Sequence, residues 1–224
     1  MISHLMFAHM LADYVLQSNW LVSCKGKSWT GLALHGSIVG FVALAALAPY
    51  IEQVWFVVVI LTIVHTLQDA LKVHIGPRLR IHSIGPYMAD QIAHYILIMA
   101  LDAWAGERLA LPPGDIEIAF MWTGAAVLSV TRFYDVTLWA NWLDMIPYMN
   151  RWRSLSYIER ITMLALATAG LWFVAPLCVL PRLIVSRQRQ RPIWKQRRGL
   201  LEMAGGAVLS IAVGIGLHFV YAPV

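Results

Sequence analysis

Charge is what this sequence has least of. Only 13% of its 224 residues are Asp, Glu, Lys or Arg, against about 25% in an ordinary soluble domain, so the chain cannot cover itself with a solvated polar surface. Cysteine is nearly missing too. Cys24 and Cys178 are the two present, which excludes a CxxC motif and a disulfide framework and leaves both as small packing residues. No basic n-region precedes the first apolar stretch, which His4, His9 and Asp13 interrupt; the stretch is therefore expected to stay as a first helix and not to act as a cleaved signal peptide. Repeats and low-complexity tracts are absent, and the Gln-Arg alternation at Arg187 to Arg191 is too short to count as one.

What is abundant is apolar surface, at 59% of residues. Several windows of about 18 or more mostly apolar residues have the length that crosses a hydrocarbon core. An open sheet would leave backbone groups unpaired in lipid, so the expected fold is all-α: a polytopic transmembrane helix bundle of about seven helices, six to eight at the limits. The net charge of +5 does not require a nucleic acid, because the basic residues gather between apolar runs, where cytoplasmic loops carry them.

Taken in order, the periodicity predicts helices over His4 to Trp20, Gly31 to Ala48, Val54 to Val73 and Ile84 to Trp104. The Ser23 to Trp29 loop carries Lys25 and Lys27, and the segment from Lys72 through Arg78, Arg80 and His82 is basic as well, so both are expected on the cytoplasmic side. Gly36 and Gly40 form a small-xxx-small pattern that lets another helix approach closely and puts His35 beside a packing seam. Further on, Ile116 to Val130 is a fifth apolar run, Arg132 to Asn150 is aromatic-rich with Asp135 and Asp144, and Ser156 to Leu180 is another long run. A basic loop at 182–198 precedes a last helix from Leu200 to Tyr221. An even number of crossings between the two strongly basic loops satisfies the positive-inside rule. The organisation expected is a four-helix core at 1–104 and further helices at 105–224, joined in one membrane domain.

The residues that carry chemistry come as three pairs with one offset: His9 and Asp13, His65 and Asp69, Asp90 and His94. Residues four apart on a helix share a face, about 6 Å apart along the axis. An ionisable group inside the bilayer costs roughly 2.5–3.5 kcal/mol on insertion scales, so each pair is a functional candidate. The second and third pairs flank one loop and should lie at one depth; helix one can bring the first pair to the same layer. Imidazole with carboxylate suits a divalent metal of the Zn or Mn/Fe type. His9, Asp13, His65, Asp69, Asp90 and His94 are the candidate ligands, with Asp13, Asp69 and Asp90 as candidate catalytic carboxylates and His35 and Lys72 as auxiliaries; Lys72 could hold an anionic headgroup or phosphate, or end its helix by snorkelling. His74 and His82 read as solvated, and His218 as a packing residue in the last helix. Two other functions use the same groups: a proton- or cation-coupled transporter, and a structural or assembly subunit with interhelical hydrogen bonds.

These residues resemble the DUF3307 family of bacterial membrane proteins of unknown function. The shared features are His9 and Asp13 with Gln17 and Trp20 after them, the His35 helix, His65 and Asp69 with Lys72, and Asp90-Gln91 with His94, within about the first hundred residues. Glu159-Arg160 resembles a Glu-Arg dipeptide of longer members. The resemblance implies a multi-pass protein of the bacterial cytoplasmic (inner) membrane and no assigned reaction. A looser likeness, through membrane-embedded His and Asp alone, is to membrane-bound metal-dependent hydrolases. The expected function is a metal-dependent hydrolase acting near the cytoplasmic face on a lipid-linked or amphipathic substrate, in contact with the bilayer and with membrane protein partners.

Overall fold

The structure is a computed structural model that describes residues 1–75, 84–106, 115–141, 146–188 and 197–221, and within them every regular element is helical. The chain divides into two compact units, Met1–Ala125 and Ala126–Val224. Four helices among the described residues are long and apolar enough to cross a membrane: Trp29–Ala46, Ala48–His74, Ile116–Leu138 and Gly199–Tyr221. The expected total near seven is not reached on that measure, because the helix at the N-terminus is short and others are diluted by ionisable residues. His82, Arg78, Arg80 and Asp144 lie outside the described residues.

The first unit begins with α1 (Ile2–Leu11), which runs on through a π turn, Ala12–Leu16, and stops where Gln17 turns extended. Helix one therefore does not reach Trp20. Ser18 instead caps a new helix, α2 (Asn19–Lys25), by accepting from the Leu21 amide at 3.3 Å, a use of serine that satisfies an otherwise orphaned donor. Ser28 does the same for α3 (Trp29–Ala46), accepting from Gly31 N at 3.1 Å. Pro49 then sits in a short 3-10 turn that reverses the chain into α4 (Ile51–Ile75). α5 (Ile84–Gly106) follows.

Packing of α3 on α4 follows from small residues. A Cβ at Gly36 would run into Thr66, and one at Gly40 into Thr62. Both threonines spend their hydroxyls within their own helix, Thr62 donating to Val58 O at 2.8 Å and Thr66 to Thr62 O at 2.7 Å, so neither hydroxyl is left unsatisfied against the glycines. The predicted small-residue seam is present, and it sets His35 opposite His65. Below it Val39, Val42, Ala43, Val54, Val57, Val58 and Leu61 close the core with Leu5, Ala8 and Ile98. At the far end of α1, His4 Nε2 lies 2.7 Å from Glu117 Oε1, and Tyr50 donates to the other oxygen at 2.9 Å.

In the second unit the expected boundary between Val130 and Arg132 does not exist. α6 (Asp115–Leu128) continues through a π turn, Ser129–Phe133, into α7 (Tyr134–Asn141). Charge does not break the helix there because it is matched: Asp135 accepts from Arg160 at 3.0 Å and from Tyr157 at 2.8 Å. Arg160 also donates to Val130 O at 3.0 Å, a carbonyl within the π turn. α8 (Ile146–Thr168) ends earlier than the apolar run to Leu180 suggested, because Gly170 takes a positive φ of 80°, the left-handed conformation that terminates helices at glycine. His218 closes that end by donating to Thr168 O at 3.0 Å. α9 (Leu180–Gln188) and α10 (Arg197–Tyr221) complete the unit.

Arg182, expected in a basic loop, is instead in α9 and 1% exposed. It meets Glu159 at 2.8 Å, Glu202 at 2.5 Å and Ser156 at 2.6 Å, while Arg160 takes the other oxygen of Glu202 at 2.6 Å. Adjacent in sequence, Glu159 and Arg160 do not pair with each other; each finds a partner on another helix.

Two outcomes follow. Gly36→Leu should lower stability by about 1–3 kcal/mol through overpacking of the seam, read as a lower melting temperature in detergent, while Gly26→Ala, where a Cβ meets nothing nearer than 3.5 Å, should leave it unchanged. Arg160→Met should cost about 3–5 kcal/mol, since two buried carboxylates each lose one charged partner; adding Glu202→Gln should recover part of that loss in the same unfolding measurement.

Candidate functional site

Five segments of the first unit bring ionisable side chains to one buried layer. α1 and its π turn supply His9 and Asp13, α2 supplies Lys25, α3 His35, α4 His65 and Asp69, and α5 Asp90 and His94. The π turn matters because its extra residue falls at Asp13, a local irregularity found often at functional sites.

At the centre stand four atoms. His35 Nε2 is 3.4 Å from Asp13 Oδ1 and 3.3 Å from Asp69 Oδ2. His65 Nε2 is 3.6 and 3.8 Å from the same two oxygens, and the two ring nitrogens are 3.2 Å apart. Their side chains are buried, with Asp13 the most open at 7%. Tetrahedral ligation at 2.0–2.1 Å separates neighbouring ligand atoms by about 3.3 Å, and these five separations are near that spacing. Such buried His/Asp groups could hold a metal ion.

His9 and His94 flank this quartet. Their rings stack at 5.2 Å and 21°, and the His94 ring lies 4.2 Å from that of His65. His94 Nδ1 faces Asp90 O at 2.8 Å; a carbonyl only accepts, so Nδ1 carries the proton and Nε2 keeps its lone pair. Among the described residues neither ring nitrogen of His9, nor His94 Nε2, nor Asp13 Oδ1 makes a well-formed hydrogen bond. Buried polar atoms are nearly always satisfied, and polar atoms of this kind gathered in one layer could hold a cation. Three overlapping triads have their ligand atoms within 4.8 Å: His9, Asp13 and His65; His35, His65 and Asp69; Asp69, Asp90 and His94.

All six residues singled out by the four-residue spacing are thus brought into the cluster. The structure adds two corrections of emphasis. His35, expected to assist, stands between Asp13 and Asp69. Lys25, expected as a cytoplasmic loop charge, is buried and donates to Asp69 Oδ2 at 2.8 Å and to Gln17 Oε1 at 2.6 Å. Lys72 reaches Asp90 Oδ2 at 2.6 Å, and its ammonium lies 5.5 Å from the Tyr87 ring. Tyr14 donates to Gln91 Oε1 and accepts from Tyr87 at 3.2 Å, while Gln91 donates to Asp90 at 3.1 Å. These polar aromatics and amides tie α1 to α5; no sequence spacing reveals them, because the partners are more than seventy residues apart. His74 is exposed, stacked on Trp29 at 5.1 Å, and outside the cluster.

Comparison with curated proteins and with solved structures finds no match. Residues 1–110 match the family model described as a protein of unknown function, DUF3307. That stretch contains every member of the His/Asp cluster, and over it the chain belongs to the DUF3307 family.

Proposed function

We propose that the buried cluster holds a divalent ion of the Zn or Mn/Fe type and that the protein is a metal-dependent hydrolase of the cytoplasmic membrane, acting near its cytoplasmic face. The observation that carries this reading is the triad of His35, His65 and Asp69, whose ligand atoms lie 3.2 to 3.8 Å apart, near the ligand spacing of a tetrahedral ion with its fourth position left to water, and with Asp13 beside it. His9, Asp90 and His94 supply further ligands or a second ion site. Carboxylates and ring nitrogens left over from first contact orient the ligand rings, as outer partners do in metal sites.

A bound ion supplies Lewis acidity and lowers the pKa of a coordinated water. The protein's own groups divide the remaining work. Asp69 and Asp90 are each held by a lysine, whereas Asp13 has no lysine partner among the described residues, and Asp13 is the carboxylate that receives the proton of the attacking water. Hydrolysis then adds the water oxygen to the electrophilic centre and returns the proton to the leaving oxygen. An amphipathic substrate suits the surroundings: an apolar groove lined by Leu16, Ile38, Phe41 and Val42 begins one residue from Gln17, the partner of Lys25.

Elemental analysis tests the reading. Purified full-length protein should carry about one equivalent or more of Zn, Mn or Fe, and His35→Ala or Asp69→Asn should lose it while His74→Ala keeps it. Returning the metal to chelated protein at about a hundredfold excess over its dissociation constant should stabilise it by about 2.7 kcal/mol, read as a rise in melting temperature. Absence of metal together with native-like folding after chelation overturns the hydrolase, and pH-dependent flux in liposomes would then favour the ion-coupled carrier.

A further inference from the structure

The two lysines of the cluster are out of place in a site that exists only to bind a cation. Lys25 is 8% exposed and its ammonium contacts Asp69 Oδ2, the oxygen that also faces His35 and His65. The placement is built in. α2 ends hard against the start of α3, where a Cβ on Gly31 would strike the backbone of Cys24 and Lys25, so the backbone that carries the lysine is held in place. Lys72 lies one turn beyond Asp69 on α4 and contacts Asp90 at 2.6 Å.

Consider the charge of the layer. Asp13, Asp69 and Asp90 bring three negative charges, Lys25 and Lys72 bring two positive ones, and the histidines are taken as neutral ligands. Without an ion the layer is one charge negative; one divalent ion makes it one charge positive, and a second makes it three. An uncompensated charge in an apolar, buried setting is strongly disfavoured. Geometry sharpens the point. When an ion takes Asp69 Oδ2, the ammonium of Lys25 is left beside a second cation and needs an anion. Donors remain to meet one: Lys25 uses two of its three N–H groups on Gln17 and Asp69, and Lys72 uses one on Asp90.

We propose that the metal-loaded cluster takes a phosphate-bearing substrate, its anionic oxygens held by Lys25, Lys72 and the ion so that its phosphorus is open to the attacking water. The proposal rests on the metal reading above and adds the substrate class: a phosphate ester, supplied either as a lipid headgroup or as a soluble phosphate. Lysine is suited to the task as a point charge with rotatable donors. In the hydrolytic step a water oxygen bonds to phosphorus, the P–O ester bond breaks, and the water's proton passes through Asp13 to the leaving oxygen.

The test reads binding and metal content together on the full-length protein. Metal-loaded protein in nanodiscs is titrated with inorganic phosphate, and in a parallel arm with phosphatidylcholine vesicles that contain or lack phosphatidic acid; metal is measured on each sample. The wild type should bind phosphate, phosphatidic acid or both, saturably, and the arm that responds identifies the source. Lys25→Met should weaken that binding about tenfold or more, the loss expected for a charged hydrogen bond, with metal content unchanged. Lys25→Arg should retain most of the affinity, Lys72→Met should weaken it independently, and Lys27→Met, an exposed neighbour, should not alter it. Metal without binding of either phosphate probe, or undiminished affinity in both Lys25→Met and Lys72→Met, overturns this inference alone. A wild type without metal overturns the metal reading and this one with it.

Discussion

The constraint that orders this structure is the compensation of buried charge. Roughly half of the charged residues a soluble domain carries are missing, and many of those in the helices are turned inward. Asp69, Asp135, Glu159, Arg160, Arg182 and Glu202 are all 1–3% exposed. Breaking such a pair leaves an unmatched buried ion at a cost of about 3–5 kcal/mol, which exceeds what any single apolar contact returns. Helix ends, breaks and glycine seams are arranged so that each of these groups meets a partner from another helix.

The two units meet the constraint in different ways. In the second, Asp135, Glu159 and Glu202 each contact an arginine within 3.0 Å, and the guanidinium of Arg160 also serves the carbonyls released by a π turn. Charge is balanced by the chain itself. In the cluster of the first unit the histidines surround the carboxylates at 3.3 to 3.9 Å, too far for good hydrogen bonds, and several ring nitrogens have no well-formed bond among the described residues. Lys25 and Lys72 each meet one aspartate there, while Asp13 faces histidines. Both units place a π turn beside their ion cluster, at Asp13 and at Val130, where an extra residue re-aims a side chain or frees a carbonyl.

The sequence made legible what is periodic. Four-residue offsets put His9, Asp13, His65, Asp69, Asp90 and His94 on helix faces, and the Gly36/Gly40 spacing marked the seam that brings His35 to His65. Long-range charge pairing was invisible. Lys25 and Arg182 stand at the edges of apolar runs, where topology rules assign basic residues to solvent, yet their partners are 44 residues away at Asp69 and 23 at Glu159. Arg132 and Asp135 suggested a helix boundary for the same reason: a single sequence prices a charge as exposed, while the fold supplies its counter-ion. Gly170 had the opposite effect, ending a helix inside a run whose hydropathy gave no sign of it.

The choice of cation in each unit bears on what each can do. Arginine keeps its charge under all conditions and grips carboxylates through a rigid fork, so the Arg160 and Arg182 contacts, at 2.5 to 3.0 Å on both sides, form a lock. Lysine presents a single rotatable ammonium with donors to spare, and Lys25 and Lys72 each touch one oxygen of their aspartate. Such a contact can be exchanged: an ammonium can release a carboxylate to an incoming metal and turn its donors to an anion without unwinding a helix. A bundle that only needed stability would be served by arginine in both units. That lysine stands at the histidine-rich layer, and arginine at the closed one, fits the binding role proposed for the first unit.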